Sequence, residues 1–235
     1  MSRQLEICAA SLPSALAAQA GGAHRIELCQ NLEQGGITPS YGLIRQVLQR
    51  LHIPVFVLIR PRPGGFVYSA DELAIMRADI ELCRDLGAAG VVLGALDATG
   101  RVDAAACRAL IEPAGGLQIT FHRAFDACRN QAEALEEIIG LGCQRVLTSG
   151  GQPTAKAGQH QLAALVQQAA GRISIMPGAG VSAATVRALA ARTGAHEFHT
   201  SAKRRVPATP ADGLFAAERF ETDVALVAEL AALLK

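Results

Sequence analysis

Eight short apolar segments recur along this chain of 235 residues, and their spacing restricts its fold more than any other feature. Successive segments begin roughly 20 to 36 residues apart, which is about the length of one β-strand followed by one α-helix. The segments lie at residues 5–9, 25–29, 55–60, 90–94, 118–123, 145–150, 174–180 and 196–202. The spacing therefore predicts a regular alternation of strands and helices.

Residues that typically begin helices lie between these segments. Ser69 forms a capping box with Glu72 three residues later, and Asn130 has Glu133 at the same spacing. Ser182 is expected to open the helix after the seventh segment, and glycines close several of the helical stretches. The chain is thus predicted to repeat the order strand, then helix, eight times.

An α/β fold, the (βα)8 TIM barrel, accounts for this order in a single domain covering residues 1–235. An open doubly wound sheet would carry a glycine-rich fingerprint after its first strand. Ala-Ala-Ser-Leu-Pro follows Cys8 instead, so that fingerprint is absent. Only the stretch from about 203 to 221, before the last helix, is expected to be irregular.

Charge and composition argue against several classes of function. The 22 basic and 21 acidic residues leave a formal net charge of +1 and are spread along the chain, so we expect no nucleic-acid partner. There is no run of about 18 apolar residues and no signal-peptide pattern, which predicts a cytoplasmic protein without a membrane partner. Six widely separated cysteines without a CxxC pair predict neither disulfides nor a zinc finger.

Polar side chains are concentrated where the predicted strands end. Side chains of a barrel strand alternate between the interior and the helix layer, and the carboxyl ends of the strands form the face that carries active sites. This alternation turns a set of acidic, basic and imidazole side chains toward the barrel axis. The candidates for acid/base chemistry are Glu6, Glu27, Arg60, His122 and His199.

Charges inside a barrel must balance, because an unpaired buried ion costs several kcal/mol. We expect the buried acids, which include Glu197, to be offset by Arg60, Arg62 and Arg123. A purely structural ion-pair network is the alternative interpretation of the same residues. Packing alone seldom requires such a cluster, since valine, isoleucine and leucine suffice for stability, and a functional site is therefore the preferred hypothesis.

The last three strand ends combine glycine with hydroxyl side chains. The loops after strands seven and eight of a barrel commonly hold phosphate, because backbone N–H groups and a helix dipole point outward there. The candidate anion-binding residues are Ser149, Gly178, Gly180 and Ser201. Tight turns that require glycine are the alternative explanation.

Cys8 and Cys29 occupy equivalent places on adjacent predicted strands, each two residues after a glutamate. The pattern leaves open whether their sulfur atoms point toward each other, because a strand boundary shifted by one residue reverses the face of a side chain. Two neighbouring thiolates would suit a soft ion such as Cu(I). Cysteine is also a common small buried hydrophobic residue, so a packing role stays open.

Eight segments of the chain closely resemble the CutC family, and they occur in order from residue 5 to residue 202. They read LEIC at 5–8, RIELC at 25–29, GGITPS at 35–40, IRPR at 59–62, TFHRAFD at 120–126, RVLTSG at 145–150, GAGV at 178–181 and EFHTSA at 197–202. The resemblance implies a cytoplasmic barrel protein of copper homeostasis that binds copper ion and self-associates. It also implies that Cys8 and Cys29 are the metal-binding thiols.

Two hypotheses for function follow. The first is a copper-binding protein of the CutC type. The second is a barrel enzyme that acts on a small anionic or phosphorylated metabolite, with Glu6, Glu27 or His122 as the acid/base group and Arg60 stabilising negative charge.

Overall fold

The computed structural model describes residues 3–207, 213 and 219–235, and its main feature is a sheet of eight parallel strands. The strands are β1 (Gln4–Ala9), β2 (Arg25–Leu28), β3 (Val55–Leu58), β4 (Gly90–Leu93), β5 (Gln118–Phe121), β6 (Arg145–Thr148), β7 (Ser174–Pro177) and β8 (Glu197–Thr200). The helices are α1 (Leu12–Ala20), α2 (Tyr41–Arg50), α3 (Ala70–Asp85), α4 (Ala104–Ile111), α5 (Gln131–Gly140), α6 (Gln159–Ala169), α7 (Val186–Thr193) and α8 (Val224–Leu234).

The sheet curls into a nearly closed barrel. Its strand order runs from β7 through β6, β5, β4, β3 and β2 to β1 and then β8, and the two end strands of this order lie beside each other. One helix follows each strand, so the predicted (βα)8 TIM barrel is confirmed. None of the helices in the described residues has the length and apolarity needed to cross a membrane.

The predicted strands match the observed ones, except that most predictions continue past the carboxyl end of the strand. The capping box of Ser69 and Glu72 is present, and Asn130 accepts hydrogen bonds from the first turn of α5. Ser182 instead lies in a turn, and α7 starts four residues later with Thr185 at its N-cap.

The stretch after β8 contains secondary structure where an irregular segment was predicted. Strands β9 (Lys203–Val206) and β10 (Arg219–Thr222) pair in antiparallel fashion. The prediction is therefore wrong at both ends of that stretch. The remaining predicted residues, 208–212 and 214–218, lie outside the described part of the chain.

Side-chain alternation separates two buried regions, as the sequence pattern predicts. One face of each strand packs against the helices and includes Leu5, Ile7 and Ile26. The opposite face forms a separate cluster inside the barrel, made by Cys8, Cys29, Phe56, Leu58 and Val92. The inward face therefore carries the residues that can form a site.

Gly90 on β4 makes room for the ring of Phe56 inside the barrel. A Cβ atom at position 90 would lie 2.3 Å from Phe56 Cε1 and 2.5 Å from the Gln118 carbonyl oxygen. Only glycine fits here without moving the backbone or the ring.

We expect Gly90→Ala to lower the free energy of unfolding by about 1–3 kcal/mol, because the added methyl group overpacks the barrel interior. Gly42→Ala in α2 is the matched control, since a Cβ there meets no atom within 4 Å. That change should raise stability by about 0.5–1 kcal/mol through the helix preference of alanine. Urea denaturation measures both, and an unchanged stability of Gly90→Ala would contradict the packing argument.

Candidate functional site

An ion-pair network fills the amino-terminal half of the barrel interior. Arg25 contacts the carboxylates of Glu6 and Glu197, and Arg145 Nε lies 3.1 Å from Glu197 Oε2. The guanidinium carbons of Arg25 and Arg145 lie 5.5 and 4.9 Å from the ring centre of Phe56, within range for cation–π attraction. Two arginines that the sequence prediction did not assign to this role thus balance the acids.

The three arginines predicted to offset those acids have other partners, so that prediction is wrong. Arg62 pairs with Glu72 at the start of α3, and Arg123 Nε donates to Asp126 at 2.7 Å. Arg60 donates to backbone carbonyl groups of the loops beside it. Depth along the barrel axis explains the difference. Arg25 and Arg145 begin their strands, near the acids, whereas the three predicted arginines follow the carboxyl ends of theirs.

His199 connects the network to the upper part of the barrel. Its Nδ1 lies 2.7 Å from Glu6 Oε1, and its Nε2 lies 3.7 Å from Glu27 Oε2. Burial alone would raise the pKa of Glu6, but Arg25 and His199 outweigh it and lower that pKa to about 2. Burial opposes the charge on His199 as well, yet Glu27 and Glu6 raise the pKa of the imidazole. His199 is thus held toward its protonated form.

A cavity of about 610 Å³ opens above this network at the carboxyl ends of the strands. Four of the five acid/base candidates, Glu27, Arg60, His122 and His199, contribute to its lining. Glu6 does not, because its side chain is fully buried below His199. The site that the sequence predicts at this end of the barrel therefore contains four of its five candidates.

The two thiols lie together on one wall of the cavity. Cys8 Sγ and Cys29 Sγ are 3.4 Å apart, which answers the question of orientation that the sequence left open. Cys8, Glu27 and His199 each offer a potential metal-ligand atom, and these atoms all lie within 4.8 Å of one another. The hydrogen bond with Cys29 and burial raise the pKa of the Cys8 thiol. Burial also raises the pKa of Glu27, although His199 opposes that shift.

Arg60, His122 and Phe66 also line the cavity. Burial, reinforced by the charge of Arg60, lowers the pKa of His122 to about 3, so its imidazole is neutral at neutral pH. The Phe66 ring centre lies 5.0 Å from that of His122. Phe66 belongs to the loop after β3, and a role for it cannot be read from strand alternation.

The structure places only two of the four predicted anion-binding residues at the cavity. Gly180 and Ser201 line the cavity, whereas Gly178 and Ser149 are absent from its lining. Both the backbone N–H and the hydroxyl of Ser149 donate to the carboxylate of Asp126. The β6 loop is therefore already occupied by an anionic side chain of the protein itself.

The family model and the similar sequences all belong to one family. The CutC family model matches residues 3–204. A CutC family protein of Xylella fastidiosa (strain Temecula1) is 57% identical over 208 residues, which cover 88% of this chain and 78% of the relative. One from Xanthomonas campestris pv. campestris is 59% identical over 204 residues, covering 87% of this chain and 85% of the relative.

Solved structures agree on the fold. The copper homeostasis protein CutC of Streptococcus agalactiae superposes with a TM-score of 0.82 at 36% identity, covering 85% of this chain and 98% of that one. Thiamine phosphate pyrophosphorylase of Pyrococcus furiosus has a TM-score of 0.62 at 16% identity over 98% of this chain and 95% of its own, a likeness of fold alone.

The buried neutral His122 makes stability depend on pH. An imidazole with a lowered pKa stabilises the fold fully above its unfolded pKa of 6.5, and this contribution is lost as the pH falls toward about 3. Below pH 6.5 the free energy of unfolding should fall by about 1.4 kcal/mol per pH unit from this group alone.

His122→Asn should remove that part of the slope, while the amide oxygen can still accept from the backbone as Nδ1 does. His160→Asn is the control for the substitution itself, because the His160 side chain is exposed on α6. Denaturant titrations over a pH series measure both, and equal slopes in wild type and His122→Asn would refute the assignment.

Proposed function

The chain belongs to the CutC family, and we propose on this basis that it is a copper homeostasis protein that binds Cu(I) through Cys8 and Cys29. The structural relative from Streptococcus agalactiae carries that functional name. The single observation that supports the site is the 3.4 Å separation of the two sulfur atoms at the cavity wall. Soft thiolate sulfur is the donor type that selects Cu(I).

The surroundings of the two thiols favour a site for an ion over simple packing. His199 and Glu27 hold a nitrogen and an oxygen atom close to Cys8 Sγ, so donors besides sulfur are available. Glu6 fixes the ring of His199 from below, as outer carboxylates commonly orient metal-binding imidazoles. The thiols also line the open cavity, which supplies a path for entry.

Cytoplasmic location and self-association complete the proposal. A reducing compartment would keep the two neighbouring thiols free, as they are in the structure, and so available to a metal ion.

Self-association rests on the family relationship alone. Size-exclusion chromatography with light scattering tests it directly, and a strictly monomeric protein would exclude it.

A second candidate function is acid/base catalysis on a small anionic metabolite. It is supported by two cavity-lining groups whose pKa values move apart, since burial raises that of Glu27 and lowers that of His122. Such opposite shifts are typical of acid and base partners in active sites. Glu6 is not carried into this proposal, because it does not reach the cavity. A metabolite screen by thermal unfolding tests this candidate, and the absence of any protecting compound would count against it.

Anaerobic titration in competition with a chromogenic Cu(I) chelator tests the copper proposal. We expect wild type to bind one Cu(I), and Cys8→Ser/Cys29→Ser to bind it at least about 100-fold more weakly, because both soft ligands are lost. Cys107→Ser/Cys143→Ser is the matched control, since these buried thiols pack in the helix-facing core. Equal affinity in wild type and the Cys8/Cys29 variant would exclude these thiols as the site.

Copper affinity should also rise with pH. The raised pKa of Cys8 keeps its thiol protonated near neutrality, so an ion that binds the thiolate must displace a proton. The apparent affinity should increase about tenfold per pH unit for each proton released. Titrations in buffers of different ionisation enthalpy measure the proton count, and a count of zero would contradict thiolate ligation.

A further inference from the structure

Three buried polar side-chain atoms lack a hydrogen-bond partner in the described part of the chain, and two of them belong to residues that line the cavity. The atoms are Arg60 Nε, His122 Nε2 and Tyr68 Oη. We infer that the wall formed by Arg60, His122 and Phe66 binds the carboxylate group of a small organic anion. This site is independent of the copper proposal, and it would supply the substrate-binding half of the acid/base candidate.

The charge of Arg60 is the first argument. The side chain is only 6% exposed, yet no carboxylate of the described residues lies within 4 Å of its guanidinium. Its hydrogen bonds go to backbone carbonyls, with Nη1 donating to Gly36 at 2.8 Å and Nη2 to Gly64 at 2.7 Å. Arg25 and Arg145, equally buried, both have carboxylate partners. A buried cation without a counterion is costly, and an anion entering the cavity would remove that cost.

The protonation of His122 is the second argument. Its Nδ1 accepts a hydrogen bond from the Ala124 N–H at 3.2 Å, so the neutral ring carries its proton on Nε2. That Nε2–H has no acceptor, and Arg60 Nε–H has none of good geometry. The hydroxyl of Tyr68 lies near Arg60, whose charge opposes the rise that burial causes in the pKa of that phenol. Two N–H donors and one positive charge suit the two oxygen atoms of a carboxylate.

The apolar ring of Phe66 near both donors favours one kind of carboxylate. Its ring centre lies 5.1 Å from the Arg60 guanidinium carbon and 5.0 Å from the ring centre of His122. Leu58 and Leu32 line the same cavity, so an anion held by the two donors would also meet apolar side chains. Binding of this kind favours an anion with an apolar body over an inorganic ion.

Metal-free protein, kept with a chelator, is titrated with benzoate and separately with inorganic phosphate. The readouts are calorimetric affinity and the side-chain ¹⁵N resonance of His122 Nε2. We expect saturable benzoate binding that shifts this resonance, and weaker phosphate binding. Arg60→Gln should weaken benzoate binding about 10- to 100-fold, the range for loss of a charged hydrogen-bond donor.

Arg62→Gln is the matched control, because Arg62 is two residues away but pairs with Glu72 outside the cavity. It should bind benzoate like wild type. If Arg60→Gln does not fold, Arg60→Lys keeps the charge while losing the Nε–H, and it should still weaken binding measurably. The inference is overturned if Arg60 variants and wild type bind benzoate equally, if neither probe binds, or if the His122 resonance does not move at saturation. Phosphate binding tighter than benzoate would overturn the carboxylate assignment.

Discussion

The contacts of Arg25 with Glu6 and Glu197 are the interaction on which the barrel interior depends. These charges replace the aliphatic layers that usually fill such a barrel, and they are tolerable only because each has a partner. Removing Glu197, for example, would leave the buried guanidinium of Arg145 without its carboxylate partner. The network therefore resists the loss of a member. It also positions His199, whose Nδ1 contacts Glu6 and whose ring forms the floor of the cavity.

Above this floor, one cavity has two chemically different sets of donors. Cys8 and Cys29 present polarisable sulfur, with Glu27 and His199 close by. Arg60 and His122 present hard N–H donors to the same cavity, which apolar side chains also line. A soft metal ion and an organic anion would therefore bind through different atoms of the cavity.

The architecture could be predicted from the sequence because strand alternation and helix caps are local patterns. The ends of the strands could not, because backbone hydrogen bonds continue at Ile59 and Arg60, beyond the last paired residue of β3. Alternation also indicated that Cys8 and Cys29 face inward. It could not show how deep a residue lies along the axis, and Arg25 was therefore missed as the partner of Glu6. The role of Phe66 depends on loop conformation, which no periodic pattern encodes.

The carboxylate of Asp126 occupies a potential anion-binding position in the loop after β6. Its carboxylate receives hydrogen bonds from Ser149 and from the Gly151 N–H, the kind of donor set that holds an anion at a barrel loop. Because Asp126 is covalently attached to the chain, it competes at an effective concentration that dissolved metabolites seldom approach. A dissolved anion would therefore have to displace the carboxylate of Asp126 before it could bind to these donors of the β6 loop.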